Sequence, residues 1–88
     1  MNWQVYIILC SDNSFYTGIT TDIGRRFRQH HDGRGARYFR GRRPLEVVYL
    51  EKGHSRSSAG RREIRIKMMM KDEKRLLISS VINEAERY

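Results

Sequence analysis

Trp3-Gln4-Val5-Tyr6-Ile7-Ile8-Leu9-Cys10, then Ser11-Asp12-Asn13-Ser14, then Phe15-Tyr16-Thr17-Gly18-Ile19-Thr20 is the stretch that decides the fold. Its first eight residues are aromatic and β-branched with almost no polar interruption, which marks a strand buried on both faces. Four turn formers follow and a second β-rich run returns, so the two strands are expected to pair antiparallel. Such pairing brings Tyr6 and Tyr16 onto neighbouring strands. Taken alone, two such tyrosines read as core residues whose hydroxyls find partners.

Working outward, Thr21 or Asp22 offers a helix N-cap. Ile23, Phe27 and positions 30/31 recur at helical spacing, so a helix is expected to about His31. Gly33, Gly35 and Gly41 loosen an Arg-rich loop that ends at Pro44. Leu45-Glu46-Val47-Val48-Tyr49-Leu50 reads as a third strand of open direction, closed by Gly53. Ser55, Ser57 or Ser58 can cap a second helix running to about Met70. Asp72 can cap a third, over about 72–86, with Leu76, Leu77, Ile78, Val81 and Ile82 on its buried side. The order β-β-α-β-α-α describes a small α/β (α+β) domain, a three-stranded sheet with helices packed on it. Eighty-eight residues hold one core, so a single domain is expected over 1–88, with its centre at about 4–74.

The composition narrows the partner. The chain carries 18 Lys+Arg against 10 Asp+Glu, a formal charge of +8. The apolar run Val5–Cys10 is far shorter than the ~20 residues of a membrane helix, so no membrane partner is expected. No basic leader with an apolar core opens the chain, and the one cysteine, Cys10, cannot close an internal disulfide; both point to the cytoplasm. Fourteen of the 18 basic residues are Arg, the planar multi-donor cation suited to phosphate. Eight of them lie between Gly24 and Arg43 against the single acid Asp32. A block of one sign is either a solvated face or a nucleic-acid footprint, and the Arg bias favours the footprint. Arg25, Arg28, Arg37, Arg40, Arg42 and Arg43 are the candidate contacts, with Tyr38 placed to stack on a base. Arg62, in a second basic block over Arg56–Arg75, joins them.

Two helical positions suggest chemistry beyond binding. Stepping from Ala59 by helical offsets gives Glu63, Ile66 and Met70, so Glu63 interrupts an apolar stripe. A carboxylate there needs a partner, a proton or a metal; the plain alternative is a helix-edge Glu paired with Lys67 or Arg62. On the first helix, Arg26 and His30 stand one turn apart beside the Ile23/Phe27 stripe. A guanidinium and an imidazole together can stabilise a phosphoryl transition state and move a proton, or can form an ordinary polar flank. His31 falls closer to the buried side and is the weaker candidate, and His54 carries no spacing signal. Three histidines and one cysteine make no zinc pattern.

Together these residues are similar to a known family. Gln4-Val5-Tyr6, ten residues before Tyr16-Thr17-Gly18, resembles the paired tripeptides that give the GIY-YIG nucleases their name. Arg26 and His30 fall where that family places its helix arginine and a frequent histidine, and Glu63 looks like its metal-binding glutamate. The stretches Tyr16–Asp22, Gly35–Tyr38 and Arg40–Pro44 resemble the small stand-alone bacterial members, and the likeness runs from about Gln4 to Lys74. Gln4 replaces the family's first Gly and Thr17 its central Ile, and Ile19 stands where some members carry a polar or Lys side chain.

The resemblance implies hydrolysis of a phosphodiester, in DNA rather than RNA, with one divalent cation, Mg²⁺ or Mn²⁺, on Glu63. Tyr16 would deprotonate or orient the attacking water, Tyr6 would support it, Arg26 would neutralise charge on the phosphate and His30 would relay a proton. Family nucleases attach this module to target-choosing domains; recognition here is therefore expected to follow nucleic-acid shape, with a protein partner supplying any further specificity. The alternatives are a non-catalytic nucleic-acid-binding module of the same fold, and a basic protein that docks on an acidic partner.

Overall fold

The structure, a computed structural model, describes residues 1–85. The hairpin forms as its pattern dictates: β1 (Trp3–Cys10) pairs antiparallel with β2 (Phe15–Thr20), with Tyr6 opposite Gly18 and Ile8 opposite Tyr16. Asn13 takes the left-handed conformation in the turn, φ 67°, one that Asn tolerates better than most side chains. β3 (Pro44–His54) pairs antiparallel with the other edge of β1, which settles its direction and gives the order β2-β1-β3. β1 is thus central, and its continuous apolar run is explained by burial on both faces.

Each face takes its own layer. Tyr6, Ile8, Cys10, Val47 and Leu50 face Ile23 of α1 (Ile23–His31) and Phe39, which belongs to a 3₁₀ turn, Arg37–Phe39, inside the expected Arg-rich loop. Val5, Ile7 and Tyr49 face Ala59 and Ile66 of α2 (Arg56–Lys67), and Leu77 and Ile78 of α3 (Lys71–Ile78) pack against the same cluster. The α1 N-terminus is satisfied twice: the Asp22 carboxylate accepts from the Arg25 N–H at 3.1 Å, and the Gln4 side chain accepts from the Ile23 N–H at 3.1 Å. Ser55 and Ser58 form a reciprocal capping box on α2.

Three expected boundaries move. β3 does not stop at Gly53; a register shift between Trp3 and Val5 absorbs that glycine, at φ 80°, as a bulge, and pairing resumes at His54. α2 ends at Lys67 rather than near Met70, because the Met70 N–H is captured at 3.0 Å by Glu73 and starts α3. Met70 therefore leaves the stripe and is exposed. α3 is capped by Met70 instead of Asp72 and stops at Ile78, not near residue 86, whose own position lies outside the described residues. Leu76, Val81 and Ile82 are exposed, so only Leu77 and Ile78 of the expected apolar side reach the core. The chain after α3 has other work: the Asn83 side chain accepts from the Leu50 N–H at 3.1 Å and donates to the carbonyls of Val48 and Ile78, and the Glu84 N–H donates to the Leu50 carbonyl at 2.8 Å. These bonds cover part of the open edge of β3.

Candidate active site

The α1 face of the sheet gathers an aromatic cluster at the β1–β2 hairpin. Gly18 makes it possible: a Cβ there would come closer than 3 Å to the Tyr6 hydroxyl and ring, so only glycine opposite Tyr6 lets that phenol lie across β2 beside Tyr16. The Tyr6 and Tyr16 ring centroids are 6.2 Å apart. Tyr6 is 1% exposed, whereas Tyr16 is only partly buried and forms the accessible member of the pair.

His30 completes the cluster from α1. It is 1% exposed, and His31 points outward beside Asp32 with its side chain 64% exposed, so the buried and flanking histidines are the reverse of the sequence expectation. The His30 Nε2 lies 2.8 Å from the Tyr6 hydroxyl, and its Nδ1 accepts the Ala36 N–H at 3.2 Å. Gly35 lets the loop pass this close, since a Cβ at that position would strike the imidazole. Phe39 covers the His30 ring at 4.4 Å and meets Tyr16 edge-on at 4.9 Å.

Charge enters from two helices. Arg26 is anchored on α1 by a 3.1 Å bond from its guanidinium to Gln29. Burial raises the Tyr6 phenol well above its ordinary range, with the neighbouring Tyr16 adding to it and Arg26 opposing it. Burial also raises Tyr16, against the pull of Lys67 and Arg26, while the Glu63 carboxylate pushes both phenols upward. Burial and then Arg26 bring His30 down to about 4. Arg26 and Glu63 thus act in opposite directions on both phenols, with His30 on the buried side of Tyr6. Glu63 itself is paired with Lys67 at 3.3 Å and keeps 22% of its side chain exposed. The plain helix-edge pairing is thus present as well.

A cation at Glu63 can be weighed on its donors. Among the described residues no three His, Cys, Asp or Glu side chains converge, so no protein cage surrounds the carboxylate. A single hard, partly exposed oxygen donor is of the kind that Mg²⁺ or Mn²⁺ takes while keeping much of its water, and the Lys67 ammonium on it would have to give way to such an ion.

The expected nucleic-acid contacts divide. Arg25, Arg28, Arg37, Arg40 and Arg43 are exposed on α1 and the loop after it. Three others are committed inside the fold. The Tyr38 hydroxyl donates to Ser14 at 2.6 Å and its ring meets Tyr16 at 5.1 Å with the Arg42 guanidinium over one face at 4.0 Å, so that face is already occupied. Arg42 donates to Asp12 at 2.7 Å and to the Tyr38 carbonyl at 3.0 Å, tying the loop to the hairpin turn. Arg62 donates to both Glu51 oxygens at 3.1 and 3.2 Å. That carboxylate also accepts from Tyr49 and lies 2.5 Å from the His54 Nε2, and His54 Nδ1 meets Ser58 at 2.8 Å. Burial alone would raise Glu51, but the bonds from Tyr49, His54 and Arg62 outweigh it and hold the carboxyl below its usual range. This cluster pins the start of α2 to β3, on the opposite sheet face from the tyrosines. No sequence spacing announced it. Gln4 as a cap and the Ala36 amide were equally silent, whereas Lys67 is readable as the i+4 partner of Glu63.

Both the sequence and the fold have known relatives. Residues 2–76 match the family described as the GIY-YIG catalytic domain. The chain is 48% identical over 77 residues to a UPF0213 protein of Cronobacter sakazakii, covering 88% of this chain and 81% of that one. It is 48% identical over 74 residues to a UPF0213 protein of Halobacterium salinarum, covering 84% and 96%. The solution NMR structure of a UPF0213 protein from Bacillus halodurans, 40% identical, superposes with a TM-score of 0.59 over 96% of this chain and 89% of that one.

Proposed function

The chain belongs to the GIY-YIG family, and on that premise we propose that it is a metal-dependent endonuclease that hydrolyses DNA phosphodiester bonds and selects its target by nucleic-acid structure. The observation that carries this reading is the assembly of one accessible phenol, Tyr16, over the buried Tyr6–His30 pair, with Arg26 and Glu63 both acting on it. GIY-YIG domains act on nucleic acids, and among the described residues no helix is long and apolar enough to cross a membrane.

Glu63 would hold one Mg²⁺ or Mn²⁺ ion, which supplies charge neutralisation at the scissile phosphate and the leaving oxygen. Tyr16 as phenolate takes a proton from a water molecule whose oxygen forms the new bond to phosphorus; the bond from phosphorus to the leaving oxygen breaks, and that oxygen takes a proton from solvent. Arg26 donates to the non-bridging oxygens as their charge grows. Burial works against the phenolate, so the cations around Tyr16 are a requirement of the chemistry. Arg25, Arg28, Arg37, Arg40 and Arg43 would hold the phosphate backbone by charge and set no sequence preference.

Incubating the purified chain with branched, flapped and single-stranded DNA, and with the matching RNAs, in Mg²⁺ or in EDTA tests this. Metal-dependent scission of at least one DNA, lost in Tyr16→Phe, is the expected result. Absence of cleavage across the whole set would overturn it. A second reading, a binding module without catalysis, draws on the Lys67 ammonium already seated on Glu63; it predicts salt-sensitive binding that needs no metal and survives Glu63→Ala.

A further inference from the structure

The loop after α1 meets the edge of the His30 imidazole through a backbone amide. The Ala36 N–H donates to His30 Nδ1 at 3.2 Å, and that nitrogen therefore carries a lone pair and no proton. A neutral imidazole then has its proton on Nε2, which lies 2.8 Å from the Tyr6 hydroxyl. The Tyr6 oxygen accepts that hydrogen bond, and its own hydroxyl hydrogen is left to point away from the imidazole; the Tyr16 ring lies beside it, 6.2 Å between centroids.

We propose that the Ala36 amide fixes His30 as the Nε2–H tautomer, so that the hydrogen bond between His30 and Tyr6 runs one way, from His30 to Tyr6, and turns the Tyr6 hydroxyl hydrogen towards Tyr16. This rests on the nuclease reading and changes one role within it. His30 becomes a positioning residue, a fixed donor at the end of the chain, and not a relay that takes up a proton: Nδ1 is occupied and Nε2 already bears hydrogen. The surroundings hold the same arrangement. The ring is buried against Phe39, and the Arg26 guanidinium disfavours a second proton on it. Gly35 has no side chain because one would push the loop off His30 and take the Ala36 amide with it. On the other side, burial raises the Tyr16 phenol, and a hydroxyl hydrogen turned to it from Tyr6 would work against that burial.

Nitrogen-15 NMR of the imidazole in the wild-type chain, without substrate or metal, reads the tautomer directly. The expected result at neutral pH is a pyridine-type Nδ1 and a pyrrole-type Nε2, with through-bond coupling from the Ala36 amide to Nδ1. A pyrrole-type Nδ1, or two protonated nitrogens, would overturn the proposal whatever the chain does to DNA. Cleavage then separates donor from relay. His30→Gln keeps an N–H donor and cannot accept a proton, whereas His30→Leu keeps neither. The donor role predicts that His30→Gln retains cleavage within about tenfold of wild type while His30→Leu loses at least ~100-fold. Equal loss in both variants, with both folded, would restore the relay and remove the donor. If the wild type cuts nothing, the nuclease reading fails and the NMR result still decides the tautomer.

Discussion

A methyl group added at Gly18 would occupy the space of the Tyr6 hydroxyl, because the two residues face each other across the hairpin. Gly18→Ala should therefore cost about 1–3 kcal/mol, the usual range for overpacking, and displace Tyr6 from Tyr16; urea denaturation and the cleavage assay check the two effects separately. His30 makes a second residue-level prediction. Its folded value near 4 lies below the 6.5 of an unfolded histidine, so between those values the unfolded chain binds a proton that the folded chain refuses. The stabilisation is complete above pH 6.5 and is lost as pH falls towards 4, amounting to roughly 3 kcal/mol at ~1.4 kcal/mol per pH unit. Urea midpoints at pH 7, 6, 5 and 4 should fall along that window in the wild type and less steeply in His30→Gln. Sequence spacing had put His30 on a flank and His31 nearer the core. Both sit close enough to the Ile23/Phe27 stripe to be buried, and the choice between them is made by Gly35, Ala36 and Phe39, five to nine residues further along, in a loop with no period to read.

At the level of elements, α2 places two neighbouring charged residues in unlike settings. Arg62 is bound into the Glu51–Tyr49–His54 cluster under the sheet, whereas Glu63 pairs with Lys67, its one ion-pair partner among the described residues, and pushes on the Tyr16 phenol. Glu51→Gln leaves Arg62 without its counter-charge and should cost about 1–2 kcal/mol. Glu63→Ala removes a partly exposed i,i+4 pair and should cost less than ~0.5 kcal/mol. Denaturation of the two variants side by side checks the contrast; a large loss in Glu63→Ala would make Glu63 a structural residue. The hairpin was readable because β1 has apolar residues in unbroken succession and a turn cluster behind it. The Glu51 cluster was not, since it exists only once the β3 register and the rotation of α2 are both set. The third helix was overread for a related reason: Val81 and Ile82 fit a helical stripe, but Asn83 and Glu84 are drawn to the edge of β3 and end it.

For the whole molecule, the net charge of +8 is spread over a body of 29 × 28 × 24 Å, yet its arginines do different jobs. Arg25, Arg28, Arg37, Arg40 and Arg43 are exposed on the side that carries α1 and the loop after it, while Arg42 and Arg62 hold the fold together. The composition pointed to a polyanion, but a count of charges cannot tell a free guanidinium from one that already has a carboxylate. Binding of a DNA duplex measured against salt should distinguish them: Arg25→Ala or Arg37→Ala is expected to lower the log–log slope by about 1 for a lost phosphate contact, whereas Arg42→Ala should lower the urea midpoint. On the proposed reading the tyrosine cluster and Glu63 form one hydrolytic centre. Single-turnover cleavage of a branched DNA in Mg²⁺ by the wild type and by folded Glu63→Ala tests it most directly. A shared centre requires scission by the wild type and a loss of at least ~100-fold in the variant with duplex binding kept; equal cleavage by the two proteins would rule it out.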